Sequence, residues 1–408
     1  MKRVCQSLLE EYLKVFPCVA IVGPRQCGKT TLLASLPQQW KRFDMEKQSD
    51  YQIASRDPDL FFELNSQHVA IDEAQILPSL FPALRVAIDK HRRDRGRFVI
   101  TGSSSPQLLK EVSESLAGRM GIIELAPFSW EEVRSSAGNQ GVLDRFLGGV
   151  RLPDDLLSGI CPKGTLQKVH EYWFRGGYPE PWIEGAKFQD HWMEQYVQAY
   201  LYRDVMRLFP GLNQERFRMF IQLLSGFSGT ILNYADVARV LSVSQPTARD
   251  YFSIAHGTFL WRMIRPFDRK TGKRLVRHPK GHLRDSGMLH HLLRLPDMRA
   301  LLGHPKAGAS WEGMVTEEIL RRLAWRGEPA EASYYRTSAG AEVDLVLEGK
   351  FGLLPIEIKY TQRVDLRDLR SIRDFMTEHD CKLGFVINND DAPRHYGHGI
   401  VGIPFLCL

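Results

Sequence analysis

The sequence predicts an α/β protein in which a P-loop parallel sheet with a helical lid is followed by a winged helix and a second, smaller α/β domain. Residues 1 to about 135 alternate short apolar runs with amphipathic stretches, the pattern of a parallel sheet covered by helices. Gly23 to Thr30 satisfies GxxxxGK[ST] between one such run and a helix-compatible one. Residues 215–266 read helix, helix, turn, helix, strand, which is the order of a winged helix.

At 408 residues the chain exceeds the size that one core usually serves, so two or three domains are expected. A hydrophobic fraction of 43% with 25% charged residues is ordinary for globular chains and excludes a largely disordered or low-complexity one. The six cysteines (Cys5, Cys18, Cys27, Cys161, Cys381, Cys407) lack CxxC spacing, which argues against a disulfide framework or a zinc site and fits a reducing compartment. Residues 1–16 are charged and amphipathic rather than signal-like, and no apolar run approaches the roughly 18 to 20 residues that span a bilayer. A soluble, cytoplasmic protein with no membrane partner is therefore expected. The net charge of +6 is compatible with a nucleic-acid partner, but its distribution must decide.

Residues 1–165 are expected to form the ATPase core, from the runs CVAIVG, KTTLLASL, KRFDM, HVAIDEA, FPALRVAIDKHR and RFVITGS. Within them 135–164 is rich in Gly, Ser and Pro and reads as an insertion or mobile connection. Residues 166–212 carry aromatic side chains at helical spacing and read as a helical lid, and 213–285 as the winged helix with a basic hairpin. Residues 286–408 place WEGMVTEEILRRLAW before alternating strands SYYRT, AEVDLVLE and LLPIEIKY, then a helix and the strand KLGFVIN.

Gly23, Pro24, Arg25, Gln26, Cys27, Gly28, Lys29, Thr30 and Thr31 are the candidate nucleotide-binding residues. Backbone N–H groups and a helix N-terminus supply positive potential for phosphates, Lys29 adds a charge at the β and γ phosphates, and Thr30 offers a hydroxyl to Mg2+. The strand HVAI ends at Asp72 and Glu73, with Asp72 lying 43 residues after Lys29. Asp72 would hold the metal through water, and Glu73 would orient and deprotonate the attacking water. After RFVIT, Ser103 offers a hydroxyl to the γ-phosphate or the water. No [NT]KxD sequence that selects guanine occurs, so ATP is the expected nucleotide. Arg119, before the apolar run MGIIEL, suits a finger donated to a neighbouring subunit.

Ser244 can cap a helix starting at Gln245, with Pro246 tolerated in its first turn; Gln245, Thr247, Arg249 and Ser253 would be its reading face on DNA. Between Arg262 and Arg284 there are nine Lys or Arg (Arg262, Arg265, Arg269, Lys270, Lys273, Arg274, Arg277, Lys280, Arg284) against Asp268 as the single acid. Such a hairpin would neutralise phosphates and make DNA binding steeply salt-dependent. Further on, Glu357 and Lys359 follow Asp344 by 13 and 15 residues. Residues two apart on a strand share a face, so both could reach a metal held beside Asp344. Glu312 on the preceding helix could complete this candidate nuclease site, and Glu342 shares a face with Asp344, so either could be the ligand.

The segments GPRQCGKTTLL, VAIDEAQ, FVITGSSS, ESLAGR, FRGGYPE and YLYRDV together resemble a widespread prokaryotic group of AAA+ ATPases. Its members join an N-terminal ATPase to a C-terminal region of unknown function containing a winged helix and a PD-(D/E)XK nuclease-like fold. The resemblance implies Walker A at 23–30, Walker B at 69–73, a sensor within 101–103, an arginine finger at Arg119, and assembly into a ring. Arg203 in YLYRDV would act as a second sensor or pair with Asp204. The D-x12-E-x-K spacing is similar to that of the nucleases, although Val343 replaces their proline. Two functions follow as expectations: a Mg2+-dependent ATPase that remodels or translocates DNA, or an ATP-gated protein scaffold or remodelling ring with an inactive nuclease-like domain.

Overall fold

The run CVAIVG becomes β1 (Cys18–Gly23), every residue of which is buried. The computed structural model describes residues 3–103, 116, 118–134, 141–200, 205–268 and 278–408. β1 pairs in parallel with β4 (Phe98–Ser103) and β5 (Met120–Glu124), while β2 (Lys41–Asp44) and β3 (Val69–Asp72) extend the sheet in the order β2-β3-β4-β1-β5. A strand buried on both faces must be apolar at successive positions, not alternate ones. Accordingly Val19 and Ile21 pack with Leu8, Leu9, Leu32 and Leu33 on one face, and Cys18, Ala20 and Val22 with Phe61, Phe62, Phe81 and Leu84 on the other. The helices Cys5–Val15 and Lys29–Ala34 supply the first layer, and Pro58–Leu64 and Leu80–Lys90 the second.

A second sheet of nine strands runs β13-β14-β12-β11-β10-β9-β7-β8-β6. Its strands are β6 (Thr230–Ile231), β7 (Trp261–Pro266), β8 (Lys280–Leu283), β9 (Ala330–Arg336), β10 (Glu342–Gly349), β11 (Gly352–Ile358), β12 (Gly384–Asn388), β13 (Arg394–His395) and β14 (Ile400–Pro404). β7 pairs in parallel with β9, Arg265 opposite Ser333, so one sheet crosses the boundary expected at 285/286. In front of β6–β8 stand the helices Gln214–Phe227, Tyr234–Leu241 and Gln245–Gly257. The Ser244 hydroxyl caps the last of these, accepting from the Thr247 N–H at 3.2 Å.

Part of 135–164 differs from its expected character. Residues 135–140 lie outside the described set, but Val142–Leu147 and Pro153–Leu157 are helices. Their Val142, Leu143, Phe146 and Leu156 share a core with Leu345, Leu354 and Phe385 of the second sheet. The segment is therefore fixed by partners some 200 residues away. Sequence periodicity registers only near neighbours, which is why the segment read as irregular. In 166–212 the helices Leu166–Arg175 and Gln189–Ala199 also turn their aromatic side chains into the C-terminal cores, Trp173 against Trp311 and Tyr196 into the cluster of Phe217 and Phe220. Arg203 and Asp204 lie outside the described residues. Among the described residues no helix is long and apolar enough to cross a membrane.

Candidate functional site

β1 ends at Gly23, where an added Cβ would stand 2.0 Å from the Leu125 carbonyl oxygen, so the chain can turn out of the sheet there only as glycine. The loop then takes left-handed conformations at Gln26 (φ 58°) and Gly28 (φ 98°) before the helix begins at Lys29. The second of these suits only a residue without a side chain. Lys29 is buried, and its ammonium donates to the carbonyls of Gly23 at 3.1 Å and Pro24 at 2.9 Å. The loop thus holds its own lysine ready beside its backbone amides. Gln26, Thr30 and Thr31 are exposed, Arg25 lies 3.4 Å from Glu46, and Cys27 is fully buried, its thiol pushed up by that burial.

Beneath the loop Arg3 donates to the carbonyl oxygens of Cys27 and Ala126 and, at 2.8 Å, to Glu132. Sequence reasoning missed this brace, because Arg3 is one basic residue of a charged N-terminal stretch and its carboxylate partner is 129 positions away.

Three strand ends complete the site. The Thr30 hydroxyl donates to one Asp72 carboxylate oxygen at 2.6 Å, and the Thr101 hydroxyl donates to the other. The Glu73 N–H donates to Thr101 Oγ1 at 3.1 Å, and the Glu73 carboxylate accepts from the Gln75 amide. Glu73 itself sits at φ 50°, a left-handed conformation that turns the chain out of β3. A hydroxyl and a carboxylate in contact at the loop's exit form a hard oxygen donor pair of the kind Mg2+ takes together with substrate phosphates. Asp44, opposite Asp72 in register, adds a third carboxyl that the sequence reading did not single out; burial pushes it up, and the Asp72 charge adds to that. Ser103 lies opposite Gly23 in the β4–β1 ladder, and its side chain lies outside the described residues.

Arg119 stands elsewhere. It precedes Met120, which is opposite Cys18, so it lies at the end of β1 away from Gly23 and far from its own loop. Its guanidinium pairs with Asp89 at 2.7 Å on the partly exposed surface.

The basic stretch from Arg262 to Arg284 divides in three, with Arg265 exposed on β7. Arg269, Lys270, Lys273, Arg274 and Arg277 lie outside the described residues. Arg262, Lys280 and Arg284 do not offer themselves to phosphate as the sequence reading expected. Arg262 and Arg284 converge on the buried carboxylate of Glu317 at 2.7 and 3.1 Å, with His282 at 3.2 Å, and Arg284 also pairs with Glu124 at the end of β5. Burial pushes the Glu317 carboxyl up, but the two guanidinium groups outweigh it and hold it well below the usual carboxylate range. On the helix Gln245–Gly257, Gln245, Arg249 and Ser253 are exposed, whereas the Thr247 hydroxyl is engaged with Ser244 at 2.8 Å.

The C-terminal candidates do come together, around a group the sequence reading placed on the DNA-facing hairpin. The Lys280 ammonium lies 2.6 Å from Glu312, 3.0 Å from Glu342 and 3.8 Å from Asp344. Asp344 also accepts the Ile358 N–H at 2.9 Å, and Lys359 pairs with Glu357 at 2.6 Å. Burial first, and then the Asp344 charge, raise the Glu312 and Glu357 carboxyls to about 8. Among the described residues no three His, Cys, Asp or Glu side chains are grouped so as to hold a metal ion.

Comparison with known proteins divides the chain in three. An AAA domain model matches residues 15–134, a domain of unknown function (DUF8612) residues 166–299, and another (DUF4143) residues 307–408. The uncharacterized protein Rv2008c of Mycobacterium tuberculosis is 35% identical over 377 residues, covering 91% of this chain and 76% of that protein, and Mb2031c of Mycobacterium bovis matches equally. Among solved structures, the Walker-type ATPase PABY2304 of Pyrococcus abyssi aligns with a TM-score of 0.42 at 15% identity, over 71% of this chain and 94% of that one. A point variant of RuvB from Thermotoga maritima aligns with a TM-score of 0.29 at 17% identity, over 64% and 88%.

Proposed function

Since the chain belongs to the family of the mycobacterial protein Rv2008c and carries an AAA-type P-loop ATPase domain, we propose that it hydrolyses ATP with Mg2+ and uses the cycle to work on DNA. The observation that carries the hydrolytic reading is the joint exit of β1, β3 and β4, where Lys29, Thr30, Asp72, Glu73 and Thr101 meet. Thr30 and Asp72 would hold the metal, which when bound neutralises charge on the β and γ phosphates. Lys29 trades its loop carbonyls for phosphate oxygens, and Thr101 fixes the Asp72 carboxylate. Glu73, anchored through its N–H, orients the attacking water and takes its proton.

A ring with Arg119 as the finger is part of the reading. Supporting it, Arg119 is too distant to serve its own loop, and an exposed pair such as Arg119 with Asp89 is worth only about 0 to 1 kcal/mol, so a neighbour's phosphate could displace it. DNA as partner is supported by the exposed Gln245, Arg249 and Ser253 on a capped helix in helix-turn-helix order, and by the basic residues between 269 and 277. The C-terminal unit is read as nuclease-like in fold, and cleavage is no part of the proposed function.

The test is ATP turnover with and without single- and double-stranded DNA across a salt series, with Lys29→Ala as reference. Stimulation at low salt that decays steeply as salt rises is expected. Turnover in Lys29→Ala equal to wild type would show the site misplaced, and a wild type that neither binds DNA nor responds to it at low salt would leave the protein-remodelling alternative.

A further inference from the structure

We propose that the Lys280 ammonium is the resident cation of the C-terminal carboxylate nest, standing where a divalent metal would otherwise sit, so that the nest takes up neither Mg2+ nor Mn2+. The inference is independent of the ATPase reading and bears on the nuclease-like one. Glu312 comes from the helix Ala307–Trp325, Glu342 and Asp344 from β10, and Lys280 from the first position of β8. Elements far apart in the chain are thus joined at the ammonium of Lys280, a residue only 6% exposed.

Four acidic side chains (Glu312, Glu342, Asp344, Glu357) cluster here, with Lys280, Lys359 and, 3.1 Å from Glu342, Arg336 as the cations facing them. Of these, Glu312, Glu342 and Asp344 stand 2.6 to 3.8 Å from the Lys280 Nζ, and Glu357 pairs with Lys359. Those are ammonium distances; Mg2+ would draw oxygens to about 2.0–2.1 Å. The ammonium holds the nest open to its own size, which accounts for the lack of a metal-ready grouping among the described residues. The remaining charge deficit is met by protons, since the buried Glu357 keeps one oxygen without a hydrogen-bond partner, as a neutral carboxyl tolerates and a carboxylate does not.

The main chain that carries Lys280 is held on both sides. The residue pairs with Ile264 of β7 and Ile231 of β6, and the Tyr334 hydroxyl donates to the His278 carbonyl just before it. A cation held on a paired strand is present at high effective concentration, and a free ion must displace it against that.

Mn2+ binding measured by paramagnetic resonance on the full chain without nucleotide tests this, in wild type, Lys280→Ala, Lys280→Met, and each with Asp344→Asn. Wild type is expected to show no Mn2+ that Asp344→Asn removes, and the lysine variants to gain one equivalent that Asp344→Asn abolishes. Mn2+ in wild type that is sensitive to Asp344→Asn overturns the proposal. So does a folded lysine variant that still ignores Mn2+, because the nest is then an ion pair and not a cation site. If neither lysine variant folds, the wild-type comparison with Asp344→Asn alone decides.

Discussion

Replacing Glu317 with Ala should destabilise the C-terminal body more than any exposed charge could. The Glu317 carboxylate is 1% exposed and accepts from Arg262 at 2.7 and 3.0 Å, Arg284 at 3.1 Å and His282 at 3.2 Å. Removing it leaves two guanidinium groups in a poorly solvated place to share the single carboxylate of Glu124, a loss of about 3–5 kcal/mol. An unfolding entropy of about 2.1 cal/mol/K per residue over a cooperative unit of about 240 residues is roughly 0.5 kcal/mol/K, so the melting temperature should fall by about 6–10 °C. Calorimetry resolves such a shift. A control separates stranded charge from lost volume: Glu317→Leu combined with Arg262→Met, Arg284→Met and Glu124→Gln removes both carboxylates and both guanidinium groups together and should recover most of the loss. A drop below about 2 °C in Glu317→Ala, or no recovery in the quadruple variant, would refute the view that buried charge pairing holds these elements together.

Glu73→Gln should keep ATP bound while turnover falls on the order of 10²-fold or more; undiminished single-turnover hydrolysis would remove Glu73 as the base. Arg119→Ala should leave binding intact and cut turnover on the order of 10³-fold, with partial recovery when mixed with Glu73→Gln, since one variant lends what the other lacks; no recovery speaks against a shared site. The Glu312 carboxyl, raised from near 4.5 to about 8, keeps a proton in the folded protein that the unfolded chain releases, so its contribution to stability declines as pH rises from about 4.5 to about 8. Glu312→Gln should therefore melt like wild type near pH 5 and gain on it toward pH 8, and a constant difference would contradict the shift. Of the six thiols only Cys161 is exposed, so a thiol reagent should modify it first in the native protein, with Cys5, Cys18, Cys27 and Cys407 reacting only on unfolding.

The cluster at the joint exit of β1, β3 and β4 was legible because its residues are local in the chain. The loop, its lysine and its threonine are contiguous, and Asp72 and Glu73 follow one apolar strand, so motif and strand order together place them. Ser244 was legible for the same reason, as a cap three residues from the N–H it accepts. Lys280 was not. In sequence it is one of a run of basic residues, and only the pairing of β7 with β9 turns it toward carboxylates 32 and 62 positions further on. The buried charges Arg3, Arg262 and Arg284 were hidden likewise, since a charge run reads as a solvated face unless the carboxylates that bury it are near in the chain. Residues 142–157 were misread as a connection because their apolar side chains answer to a sheet about 200 residues away.

That same distant pairing bears on how a nucleotide could be felt by the rest of the molecule. Val22 at the end of β1 lies opposite Glu124, and the Leu125 N–H donates to the Val22 carbonyl at 2.7 Å while its own carbonyl abuts Gly23. Glu124 then pairs with Arg284, whose neighbour Asp285 accepts the Gly177 N–H at 2.8 Å, and Gly177 in turn accepts from the Phe128 N–H at 2.6 Å. One end of β5 is thus clamped by both the phosphate loop and the C-terminal body. A loop that changes shape on gaining or losing phosphate must either carry β5 with it or strain the Glu124–Arg284–Glu317 chain. The contacts run without a break from Gly23 through Leu125 and Glu124 to Arg284 on the chain just after β8 and to Glu317 on the helix Ala307–Trp325.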